Sequence, residues 1–185
     1  MWLQAAPPCG ATRTPMKLEH APNYSIRLIR ESTSEAVPLC EVIIGGEPTG
    51  KILQGAVFKA ALAWNGYILL FLTDDVPFEE GLSIYLLDRH LHVADYARMY
   101  FMYSTGIFSD LDLSDADTVR FHFLGERVWT LTLFSQKRLV IPILSASLGV
   151  HRPWTLYRRF QLSADASSTQ RKPVATQKPD RTASH

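Results

Sequence analysis

Four carboxylates fall within the short segment Thr73-Asp74-Asp75-Val76-Pro77-Phe78-Glu79-Glu80-Gly81. Side chains of this type can bind a cation, pair with a basic partner, or act as general acid and base. Acid–base work needs two environments that drive the carboxyl pKa values apart. Val76 and Phe78 could supply one apolar flank, but nothing in the sequence fixes the geometry of the second. The plain alternative is a solvated connection whose charges keep a sheet edge from pairing wrongly. Of the functional uses, charge recognition of a protein partner fits best. The expected contact residues are Asp74, Asp75, Phe78, Glu79 and Glu80, with Tyr100 and Tyr103 from the aromatic segment that follows.

Other clusters carry less. Asp110-Leu111-Asp112-Leu113-Ser114-Asp115-Ala116-Asp117 is rich in calcium-type ligands. It lacks the Asp-x-Asp-x-Asp-Gly spacing and the terminal Glu of a calcium loop. It reads as a turn, with Ser114 capping one short helical turn. His90 and His92 would point the same way on a strand, and His122 lies on another. A three-histidine metal centre would need those strands side by side in register, so surface histidines are expected, with no metal and no cofactor. Gly45-Gly46-Glu47-Pro48-Thr49-Gly50-Lys51 lacks the Gly-Lys-Ser/Thr ending and the following helix of a phosphate loop, and it reads as a turn. The nucleophile-elbow and dinucleotide glycine motifs are also missing. Arg152-Pro153-Trp154 and Tyr157-Arg158-Arg159-Phe160 interleave cations with aromatics, as single-strand binders do. With a net charge of +1 and no basic face, arginine stems covering rings on a terminal strand is the better reading, and no nucleic-acid partner is expected.

These residues must be positioned by β-structure. Tyr24 to Arg30 alternates with period two, and so do Phe58, Ala60, Leu62 and Trp64 within Ile52 to Trp64, which favours a strand there over the helix that the Ala-rich Lys59 to Ala63 would also suit. Asn65-Gly66 then gives the strongest short hairpin signal, because both residues tolerate positive φ. Tyr67 to Thr73 is apolar on both faces and should be a central strand. Leu82 to Asp88 and Leu91 to Tyr96 form a second expected hairpin, and Thr118 to Leu124 with Arg127 to Phe134 a third. Cys40 to Ile44, Leu139 to Leu144 and Trp154 to Leu162 complete the strands, with Pro142 marking an edge or bulge. Tyr100 to Phe108, broken by Ser104-Thr105-Gly106, reads as a packed loop or an irregular edge.

Closely spaced hairpins with almost no helical periodicity imply an all-β fold: an antiparallel sandwich or partly closed barrel built from successive hairpins. The 185 residues divide into a flexible leader (1–20), one β domain (21–162) and a disordered, Ser-, Thr- and Lys-rich tail (163–185). The first fifteen residues lack the charged and apolar regions of a secretion signal, and Met16 reads as a natural start. No window approaches the ~18 apolar residues of a membrane helix, so no membrane partner is expected. Two cysteines, Cys9 and Cys40, suit a reducing cytoplasm rather than a disulfide framework. The leading expectation is a non-enzymatic β-domain that binds a macromolecular partner through its acidic hairpin loop. The alternative is a small-ligand-binding barrel, or an enzyme, with an aromatic pocket containing Asp75, Tyr85 or His122.

Overall fold

The structure is a computed structural model, and it describes residues 15–76, 79–100, 106–124, 127–139, 149–153, 155 and 157–164. The strands follow in chain order as β1 (Glu19–His20), β2 (Tyr24–Arg30), β3 (Leu39–Ile44), β4 (Glu47–Gln54), β5 (Val57–Trp64), β6 (Tyr67–Thr73) and β7 (Leu82–Leu87). They continue as β8 (Val93–Met99), β9 (Ser109–Asp112), β10 (Thr118–His122), β11 (Val128–Leu139), β12 (Val150–His151) and β13 (Tyr157–Ala164). Every pairing is antiparallel. A central sheet has the order β1-β5-β6-β7-β8-β12, a second β13-β11-β10-β9, and a third β2-β3-β4. The sheets remain open and stack as a sandwich.

Period-two alternation explains how the central sheet serves two cores at once. On one face Leu62 and Trp64 of β5, Leu69 and Phe71 of β6, and Ile84 and Leu86 of β7 pack against Phe121, Trp129, Leu131 and Phe160 of the second sheet. On the other face Ala61, Leu70, Leu72, Tyr85 and Leu87 pack against Cys40, Val42 and Leu53 of the third sheet. β6 and β7 are therefore covered on both sides, as the unbroken apolar run of Tyr67 to Leu72 implied. Each leucine fully buried in this way contributes about 1.5–3 kcal/mol of transfer free energy.

The β5–β6 hairpin turns on Asn65 and Gly66, at φ of 46° and 73°, with Trp64 opposite Tyr67. Several local expectations need correction. Ile52 to Trp64 is not one strand: the chain bends at Gly55-Ala56, so β4 ends at Gln54 and β5 starts at Val57. Gly55 has φ +144°, and a Cβ there would lie 2.7 Å from that of Leu72. Only Gly45-Gly46 forms a turn in the glycine-rich segment, because Glu47 onward pairs with β3. Ser114 caps no helix; its N–H donates to Asp112 Oδ1 at 2.9 Å, in a turn that follows strand β9. Leu18 is buried in the core and β1 pairs with β5, so the ordered region starts before residue 21. At the other end β13 runs to Ala164. Residues 140–148, including Pro142, and Trp154 lie outside the described residues. No helix among the described residues is long and apolar enough to cross a membrane.

Candidate functional site: an acidic groove at the β6–β7 connection

The acidic loop is closed at its base by the Thr73–Leu82 pair and by the Asp74 N–H donating to the Gly81 carbonyl at 3.2 Å. Its four carboxylates divide by role. Glu80 turns inward, and its Oε1 accepts the N–H groups of Asp74 (2.8 Å) and Asp75 (3.0 Å). Asp75 sits at φ 57°, a left-handed conformation that Asp tolerates better than most residues. Asp74 is buried, its side chain only 3% exposed, and its Oδ2 meets Arg98 Nη2 of β8 at 2.7 Å. Gly81 makes that contact possible: a Cβ there would lie 2.4 Å from Asp74 Oδ2 and 3.2 Å from Arg98 Nη2. Glu79 accepts the Tyr100 hydroxyl at 3.2 Å, and the Arg98 guanidinium lies 5.8 Å from the Tyr100 ring centre.

Opposite this loop runs the β2–β3 connection. Arg30 donates through Nε and Nη2 to the Val37 carbonyl (3.3 and 2.9 Å). Thr33 accepts the Ala36 N–H on its hydroxyl at 3.0 Å and donates its own N–H to the Ala36 carbonyl at 2.9 Å. Side chain and backbone thus build a tight turn of the kind Ser and Thr favour. Between the two connections lies an open groove of about 700 Å³. Residues 32–38 form one wall; Asp74, Asp75, Val76, Glu79, Arg98 and Tyr100 form the other. Glu35, Asp74, Asp75 and Glu79 face one arginine there, which is itself paired. Val37, 44% exposed, supplies an apolar patch.

Of the expected contact residues, the structure brings Asp74, Asp75, Glu79 and Tyr100 to one groove and uses Glu80 to shape its loop. Phe78 and Tyr103 lie outside the described residues. Three features were not read from the sequence: the 32–38 wall, the part played by Arg98, and the need for glycine at position 81. The Ser32-Thr33-Ser34 run ahead of Pro38 was the available signal for the wall.

Burial pushes the Asp74 carboxyl above its ordinary 3.8; the Arg98 charge opposes this and the Glu80 charge adds to it. A raised native pKa means the folded chain holds this proton more tightly than the unfolded chain. The Asp74 contribution to stability is therefore largest in acid and declines as pH rises from 3.8 towards the raised value. The expected result is a difference in melting temperature, wild type minus Asp74→Asn, that shrinks across that window. A difference that grows would reverse the assignment.

The other clusters are placed elsewhere. His122 Nδ1 meets Asp110 at 2.7 Å, and this pair, with Ser109, holds the Asp110 carboxyl below its usual range. His92 lies 3.4 Å from Asp88, and its ring centre is 6.0 Å from that of His90. Among the described residues no three His, Cys, Asp or Glu side chains gather as a metal site would need. Tyr85 is a core residue stacked on Tyr96, its hydroxyl donating to the Gln54 carbonyl at 3.1 Å. Cys40 is fully buried, and burial pushes its thiol up to about 11, away from nucleophile chemistry.

Comparison with known proteins gave no relative: no family model matches the chain, and neither a curated protein nor a solved structure does.

Proposed function

We propose that the protein is a binding module whose acidic groove receives an extended, basic segment of a protein partner. The observation that carries this reading is the groove's composition. It is open at the surface, its carboxylates outnumber its single arginine, and it offers Val37, Val76 and Tyr100 as apolar contacts. An extended segment alternating basic and apolar side chains matches such a surface in charge and shape. The interior supports the same choice over a ligand held inside a barrel. Among the described residues Tyr85 packs in the core between the central and third sheets, while His122 pairs with Asp110 and Asp75 lines the open groove, so the three stand apart.

Asp74 and Glu80 are needed for the loop's own geometry, so the informative substitutions are Asp75→Asn with Glu79→Gln. A fluorescent peptide of alternating Lys and Leu serves as the probe, and its anisotropy is followed as protein is added. The double variant is expected to bind about tenfold more weakly, as losing roughly 1.4 kcal/mol of charge interaction implies, with an unchanged melting temperature. Rising salt should weaken the wild type more than the variant. Equal binding by the two proteins, or by an uncharged Gln-Leu peptide, would sink the reading.

A further inference from the structure

A separate cleft lies where two sheet edges give out. β1 covers β5 only briefly: it pairs with Leu62 and Ala63, and the Ala21 N–H donates to the Ala61 carbonyl at 2.9 Å. Pro22 follows, brings no N–H and ends the pairing. From Lys59 back towards Val57, β5 has no ladder partner on that side among the described residues. β9 is the edge strand of the second sheet. Between β5 and β9 lies a cleft of about 360 Å³, the size of a small-molecule site. It shares no residue with the acidic groove.

Each wall carries a β-bulge. In β5 the register passes from Phe58↔Leu72 to Ala60↔Phe71, so Lys59 is the extra residue. Its effect is visible in the two cores: Phe58 packs on the side of the third sheet, while Ala60, Leu62 and Trp64 pack on the side of the second. In β9 the span from Ser109 to Asp112 matches the shorter span from His122 to Arg120 on β10, and Asp110 takes φ 53°. Bulges re-aim side chains and gather beside active sites.

The two walls bring opposite charges to the cleft, Lys59 from the central sheet and Asp110 from the second. Lys59 is exposed and has no hydrogen bond or ion pair among the described residues. Asp110 Oδ2 accepts the Ser109 hydroxyl at 2.9 Å and meets His122 Nδ1 at 2.7 Å. Its Oδ1 has no partner among the described residues. Phe58 and Phe108 supply apolar lining. The Phe108 ring is held in place by Phe71 and Phe121, with centres 5.1 and 5.4 Å away.

We propose that this cleft binds a small zwitterion with an apolar body, its carboxylate on Lys59, its ammonium on Asp110, and its ring or alkyl group against Phe58 and Phe108. A ligand with one charge would leave the opposite wall's charge to lose water without a partner. A free amino acid and a short peptide both carry this chemistry. They differ in how far apart their charges stand.

The test is a ligand-detected NMR titration of the full chain with L-phenylalanine and with the dipeptide Gly-Phe. 3-Phenylpropanoate, which lacks the ammonium, and phenethylamine, which lacks the carboxylate, are the controls. Saturable binding of a zwitterion is expected, about tenfold tighter than either control, as one charged hydrogen bond implies. Tighter binding of phenylalanine assigns the site to free amino acids, and tighter binding of Gly-Phe to peptide ends. Lys59→Met should lower zwitterion affinity to that of phenethylamine, and Asp110→Asn to that of 3-phenylpropanoate. Asn tolerates the positive φ at position 110, and the melting temperatures of both variants check that they fold. Absence of saturable zwitterion binding, controls that bind as well, or affinity unaltered in both variants overturns the site.

Discussion

Asp95→Ala is expected to cost the fold about 3–5 kcal/mol, the range for removing one partner of a buried ion pair, or to prevent folding altogether. The carboxylate satisfies two backbone N–H groups where the β11–β13 ladder breaks, and a third on its own strand. It also faces the guanidinium groups of Arg152 and Arg158, which meet no other carboxylate among the described residues. Alanine leaves all of these donors buried together. Urea unfolding followed by tryptophan fluorescence measures the loss directly. Asp95→Asn separates the contributions, because the amide keeps an acceptor oxygen but brings no charge and adds a donor where two N–H groups already point. A comparable loss for Asn assigns the effect to charge and acceptor count rather than to side-chain volume. A loss below about 1 kcal/mol in both would match an ordinary surface pair and remove Asp95 as the link between β8 and β13.

Trp129→Ala should be nearly as damaging, at about 3–5 kcal/mol for truncation of a buried aromatic. Trp129 is 1% exposed and belongs to the core between the central and second sheets. Its indole N–H donates to the Phe123 carbonyl at 2.7 Å, where the chain turns between β10 and β11. The substitution thus opens a cavity and strips a carbonyl of its donor. Trp129→Phe keeps most of the volume and loses only the donor, so it is expected to cost about 1–3 kcal/mol. Thermal unfolding of both variants ranks them. Equal losses would mean that the hydrogen bond, and not the packing, dominates.

Much of the fold was legible because strand alternation is a local signal. Asn65-Gly66 announced its hairpin, and the double-sided apolar run of β6 announced a strand covered on both faces. The break at Gly55 escaped notice because Ile52 to Trp64 alternates well enough on either side of it; only contact with Leu72 shows why the chain must bend there. The site was harder to read for the same reason. Asp74 and Glu80 look like Asp75 and Glu79 in sequence, yet one is buried against Arg98 and another holds its loop. That division depends on β8 lying beside β7, which pairing alone decides. Asp95 gave no signal at all: it stands in an alternating strand at an inward position, and its partners other than Tyr96 lie more than fifty residues away.

The groove's two walls belong to different layers. Residues 32–38 hang from the outer three-stranded sheet, while residues 74–76 and Glu79 hang from the central one. Any occupant that touches both walls adds its binding free energy to the docking of those layers, and loosening of the outer sheet takes away half of the binding surface. By linkage the two equilibria must move together. A filled groove should therefore slow hydrogen exchange in β3, well away from any atom that the occupant contacts.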